Sequence, residues 1–61
     1  MTYNEFCSKI ACYVNRVGYK VRFFEENGRF IAKCSGVTFF GNPLCSRILI
    51  RWGSGHAAFM R

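Results

Sequence analysis

The side chains able to do bond-making chemistry are few in this sequence: one histidine, His56, four cysteines, Cys7, Cys12, Cys34 and Cys45, and three carboxylates, Glu5, Glu25 and Glu26. A histidine beside a cation can cleave RNA by general acid–base catalysis. His56 is the one residue here that would serve, but it follows Gly53-Ser54-Gly55, a loop sequence with nothing fixed to orient it. A Cys–His nucleophile needs a thiol within hydrogen-bond reach of the imidazole, and Cys45, read as lying in a loop, is the candidate. Metal-assisted phosphodiester cleavage assembles several carboxylates. Glu25 and Glu26, adjacent on an extended segment, point to opposite faces and make no pair. No C-x-x-C spacing of the zinc-ribbon kind occurs, and Cys7 and Cys12, five apart on a helix, fall on different sides of it. Gly53-x-Gly55 would cradle an anion only if it opened a helix. The expectation is therefore a non-enzymatic protein with no cofactor and no metal, its thiols unbridged.

The remaining reactive inventory is charge. Nine Lys and Arg stand against the three glutamates, for a net charge of +6, and six of the nine are arginine. A positive field of that size on so small a body attracts polyanions, and the guanidinium fork suits phosphate better than an ammonium does.

A chain of 61 residues and 7.1 kDa is expected to make one small domain, residues 1–61, with a thin core, since a domain of this size buries only about 60% of the surface its unfolded chain exposes. A hydrophobic fraction of 51% excludes a disordered tail. No apolar run approaches the roughly 18 residues of a membrane span. Met1-Thr2-Tyr3-Asn4-Glu5 lacks the basic-then-apolar pattern of a secretory leader, so the expected location is the cytoplasm.

The elements that must position the charges are legible in the pattern. Thr2 followed by Glu5 forms a capping box, and Tyr3, Phe6, Cys7, Ile10, Tyr13, Val14 and Val17 recur at helical spacing. This predicts a helix over residues 2–17, stopped by Gly18. Tyr19–Glu26 and Arg29–Ser35 flank Asn27-Gly28, a strong hairpin signal, and a two-residue turn there sets Glu26 opposite Arg29 and Phe24 opposite Ile31. A second tight turn at Ser35-Gly36 sets Ile31 opposite Phe40 and Ala32 opposite Phe39. Gly41-Asn42-Pro43 reads as the next turn, and Arg47–Trp52 as a fourth and last strand, an edge able to pair with a second copy in a homodimer. Residues 56–61 fit a short strand or a helical turn equally. The fold class is α+β: an N-terminal helix packed on one face of a four-stranded antiparallel meander, α-β-β-β-β. Its core would be Phe6, Ile10, Val14, Val17, Val21, Phe23, Phe30, Phe39, Ile48, Ile50 and Trp52.

One helix covers one side of a sheet. Alternation then leaves Lys20, Arg22, Phe24, Arg29, Ile31, Lys33, Thr38, Phe40, Arg47, Leu49 and Arg51 on the other. Phe24, Ile31 and Phe40 become cross-strand neighbours in an apolar strip rimmed by cations, and such a strip meets a partner. Aromatic rings on a sheet stack on unpaired bases while cations neutralise phosphates. The expectation is a module that binds single-stranded or deformable DNA or RNA, with Phe24 and Phe40 as stacking platforms, Ile31 between them, and Lys20, Arg22, Lys33, Arg47 and Arg51 on phosphates. The alternative is a small inhibitor or adaptor of phage or mobile-element type, docking on an acidic surface of a nucleic-acid-handling protein. A symmetric dimer through this face is disfavoured, because a two-fold axis would bring like charges together.

Overall fold

The computed structural model describes residues 1–15 and 20–60. It contains one helix, α1 (Tyr3–Asn15), followed by five strands: β1 (Arg22–Glu26), β2 (Arg29–Cys34), β3 (Val37–Asn42), β4 (Cys45–Trp52) and β5 (Ala57–Phe59). The strands form one antiparallel sheet in the order β1-β2-β3-β4-β5. The helix lies on one face of it. The expected helix end at Val17 and Gly18, and the expected strand start at Tyr19, lie outside the described residues.

The helix begins as its sequence dictates. The Glu5 N–H donates to Thr2 Oγ1 at 3.1 Å, and the Thr2 N–H donates back to Glu5 Oε1 at 3.4 Å, so two backbone donors that no helical carbonyl can reach are satisfied reciprocally. Its buried stripe is Phe6, Ile10 and Val14.

The first hairpin turns at Asn27 and Gly28, both at positive φ (53° and 74°). That combination matches the right-handed twist of the flanking strands and suits Asn-Gly. The resulting register pairs Phe24 with Ile31 and Glu26 with Arg29. The second hairpin pairs Ile31 with Phe40, Ala32 with Phe39 and Cys34 with Val37. Both registers are those the turn sequences predict.

The core is Phe6, Ile10, Val14, Phe30, Ala32, Phe39, Ile48 and Ile50, with Val21, Phe23 and Trp52 half-buried at its margin. Aromatic contacts seat the helix. The Phe6 ring meets Phe30 at 5.6 Å and Phe23 at 6.3 Å, Tyr3 meets Phe30 edge-on at 5.5 Å, and Tyr13 meets Phe39 at 5.7 Å. Such pairs add to the burial of their area.

Three features depart from the sequence reading. Gly41 is no turn residue: it lies buried within β3, opposite Phe30, and the turn is Pro43-Leu44, so Cys45 opens a strand instead of lying in a loop. A Cβ on Gly41 would come within 2.5 Å of the Phe6 ring, so the residue is glycine because the helix's largest buried side chain rests on its backbone. Secondly, β4 is not an edge. Ala57–Phe59 returns as a fifth strand along it, pairing Leu49 with Phe59, Ile50 with Ala58 and Arg51 with Ala57, so a homodimer through 47–52 has no free edge to use. Thirdly, the β1 ladder ends at the Arg22–Lys33 pair. Lys20 and Val21 precede the strand; the same register, continued, would set Val21 opposite Cys34 at the end of β2 and Lys20 opposite Ser35 in the turn.

Gly41→Ala is expected to destabilise the domain by about 1–3 kcal/mol through overpacking against Phe6, read as a fall in the urea midpoint with unchanged slope. A second substitution that trims the ring, Phe6→Leu in the Gly41→Ala background, should return part of that loss.

Candidate functional site

The register that builds the core also aligns the opposite face. Phe24 pairs with Ile31, Ile31 with Phe40, Phe40 with Leu49, and Leu49 with Phe59. Five apolar side chains, one per strand, thus form a single cross-strand row over the whole sheet. No helix or loop among the described residues belongs to that side. Phe24, Ile31, Phe40 and Leu49 are half-buried and Phe59 is 57% exposed. Directly opposed side chains on one face stand about 4.5–5.5 Å apart at Cβ, so each ring is shielded by the aliphatic side chain beside it and the row is a continuous ridge with its upper surface in water.

A charged row runs along each side. On one side Arg22 pairs with Lys33, Lys33 with Thr38, Thr38 with Arg51, and Arg51 with Ala57: three cations and no acid. On the other stand Glu26, Arg29 and Arg47, the single carboxylate lying opposite Arg29 in the register. Cations also reach over the ends of the ridge. The Lys33 ammonium lies 5.6 Å from the centre of the Phe24 ring, and the Arg47 guanidinium lies 5.4 Å from that of Phe59. All five cations are exposed. An open depression of about 370 Å³ lined by Glu26, Asn27, Arg29, Ile31 and Phe40 adjoins the ridge on its Glu26–Arg29 side.

Of the residues expected at the site, Arg22, Phe24, Ile31, Lys33, Phe40, Arg47 and Arg51 come together on this face. Lys20 is exposed but sits ahead of β1, off the ladder. Leu49 becomes a member of the apolar row, and Phe59 was missed altogether because its strand was undecided. The hairpin signal that would have placed β5 was present in Trp52-Gly53-Ser54-Gly55. There the Gly55 N–H donates to the Trp52 carbonyl (2.9 Å) and the Trp52 N–H to that of His56 (2.8 Å).

The other candidate chemistries separate in space. His56 is exposed and its ring lies tilted against Trp52, centroids 5.4 Å apart, at the end of β4 opposite to Cys45. Seven residue steps along β4 separate Cys45 from Trp52, roughly 23 Å, far beyond hydrogen-bond reach. Gly53-Ser54-Gly55 leads into a strand and not a helix, so no helix dipole aims at that loop. Cys7, Cys12, Cys34 and Cys45 are free thiols, and burial pushes the Cys34 thiol up, away from the reactive thiolate. No group of three or more His, Cys, Asp or Glu side chains among the described residues could hold a metal ion. No described helix is long and apolar enough to cross a membrane. Leu44, 96% exposed at the tip of the β3–β4 turn, was not expected; its N–H donates to Asn42 Oδ1 at 2.8 Å, which fixes the turn.

No protein-family model matches the chain, and no curated protein or solved structure matches it either.

The two faces carry opposite expectations for adjacent residues. Phe39, fully buried, should lose about 3–5 kcal/mol on truncation to alanine. Phe40, whose ring stands on the outer ridge, should lose less than about half as much. Denaturant melts of the two variants check this, and equal losses would show that both faces serve as core.

Proposed function

We propose that the protein is a non-enzymatic nucleic-acid-binding module that uses the outer face of its sheet. One observation carries the reading: an unbroken apolar row with three phenylalanines, flanked on one side by three cations without an acid. Neutralised phosphates release counterions and supply affinity, while rings on a sheet accept the faces of bases.

The chain's own cations do not block this use. A cation over an exposed ring is worth about 0.5–1 kcal/mol, whereas a base stacked on an aromatic side chain is worth about 1–3 kcal/mol. Lys33 and Arg47 therefore give up Phe24 and Phe59 to a base and turn to the phosphates. Arg22, Lys33, Arg47 and Arg51 neutralise the backbone without reading sequence, Phe24, Phe40 and Phe59 stack, and Ile31 and Leu49 fill between them. The cytoplasm is the location in which such a partner would be met.

Fluorescence anisotropy of labelled mixed-sequence oligonucleotides against salt tests the reading. Three to five phosphate contacts on single strands give a slope of log affinity against log salt between about −2 and −3.5. Absence of binding even at about 50 mM salt would overturn it in favour of the same ridge docking on an acidic protein surface, as a small inhibitor or adaptor would.

A further inference from the structure

We infer that the ligand is a single strand laid across the β-strands, with its phosphates along Arg22, Lys33 and Arg51 and its bases over the ridge towards the Glu26–Arg29 side. This rests on the reading of the outer face as a nucleic-acid site and adds strandedness, direction and length.

The dimensions exclude a duplex groove. Five strands at about 4.8 Å give a ridge roughly 19 Å long, set in a face wider than the roughly 12 Å major groove, which admits a helix or a two-stranded ribbon. A duplex could touch this face only from outside, where it would offer phosphates to the arginines and nothing to the rings. Only unpaired bases bring flat apolar surfaces to Phe24, Phe40 and Phe59.

The direction follows from the asymmetry of the flanks. The row Arg22, Lys33, Thr38, Arg51 runs parallel to the ridge, two residues along each strand, and contains no carboxylate. A polyanion aligned with it meets one cation on each of β1, β2 and β4. The opposite flank sets Arg29 across from Glu26, whose carboxylate repels phosphate at the β1–β2 end, beside Asn27 and the depression against Ile31 and Phe40. It carries an uncompensated cation only at its β4 end, where Arg47 meets a phosphate as the nucleic-acid strand leaves the ridge. A carboxylate and an amide there accept hydrogen bonds from base amino groups, so bases point to that flank. Stacked nucleotides rise about 3.4 Å each, so the ridge takes at most about six.

The test uses labelled mixed-sequence DNA and RNA strands of two to twelve nucleotides, and the twelve-mers annealed as duplexes. Affinity should climb steeply with length to about six nucleotides and then flatten, with duplexes at least tenfold weaker. Phe59→Ala and Phe24→Ala, at opposite ends of the ridge, should each cost at least about fivefold with the twelve-mer. Arg51→Gln and Lys33→Gln should each reduce the salt slope by about 0.7, whereas Arg29→Gln should leave it unchanged. Thermal melts of each variant separate lost binding from lost folding. Equal affinity for duplex and single strand, or a neutral Phe59→Ala beside a damaging Phe24→Ala, would overturn this inference while leaving nucleic-acid binding intact. No binding to any oligonucleotide would remove the underlying reading as well.

Discussion

The molecule is governed by a mismatch of supply: its sheet has two faces, and the described chain holds one helix to cover them. Strand side chains alternate along an extended segment, so each residue that turns inward to meet Phe6, Ile10 and Val14 forces its neighbours outward. The inner face takes the helix and closes around Phe30, Phe39, Ile48 and Ile50. The outer face receives whatever sits one position away, and at Phe24, Ile31, Phe40, Leu49 and Phe59 that is apolar. An antiparallel sheet with a solvated face reads polar there. This one alternates greasy and cationic rows instead, and it does so in register over all five strands.

The contact between helix and sheet has its own anchor. Phe6 lies over the backbone of Gly41 and against the rings of Phe23 and Phe30. The absence of a side chain on β3 at that point lets the helix approach closely, and the aromatic rings around it fix where the helix can sit.

Much of this was legible in the sequence, for reasons specific to each element. Thr2 and Glu5 marked the helix start, because a capping box is a local contact that needs no tertiary partner. Asn27-Gly28 fixed the register of the first hairpin, because two consecutive positive φ values leave few other turns available. The outer ridge was foreseen at Phe24, Ile31 and Phe40 and not at Phe59. Ala57-Ala58-Phe59 carries no strand pattern of its own and becomes a strand only because β4 offers it a ladder. Gly41 misled in the opposite sense: beside Asn42-Pro43 a glycine reads as a turn, and only the position of Phe6 on the distant helix reveals it as a contact surface. The bulge between Phe40 and Asn42 was likewise invisible, since it shifts pairing without altering the apolar alternation at Ile48 and Ile50. On function the sequence offers no more than an expected class of partner, because charge and aromatic placement speak of ligand chemistry and not of ligand identity.

The strand order carries a consequence for how the chain comes together. Each strand pairs with the one synthesised just before it, so the sheet can zip up hairpin by hairpin with short loops to close at every step. The helix is the exception: made first, it has no surface to rest on until Phe30 and Phe39 have emerged. Its capping box holds the helix start locally, but a helix of 13 residues is marginal alone in water, so its apolar stripe gains an interior to join only once β2 and β3 stand side by side.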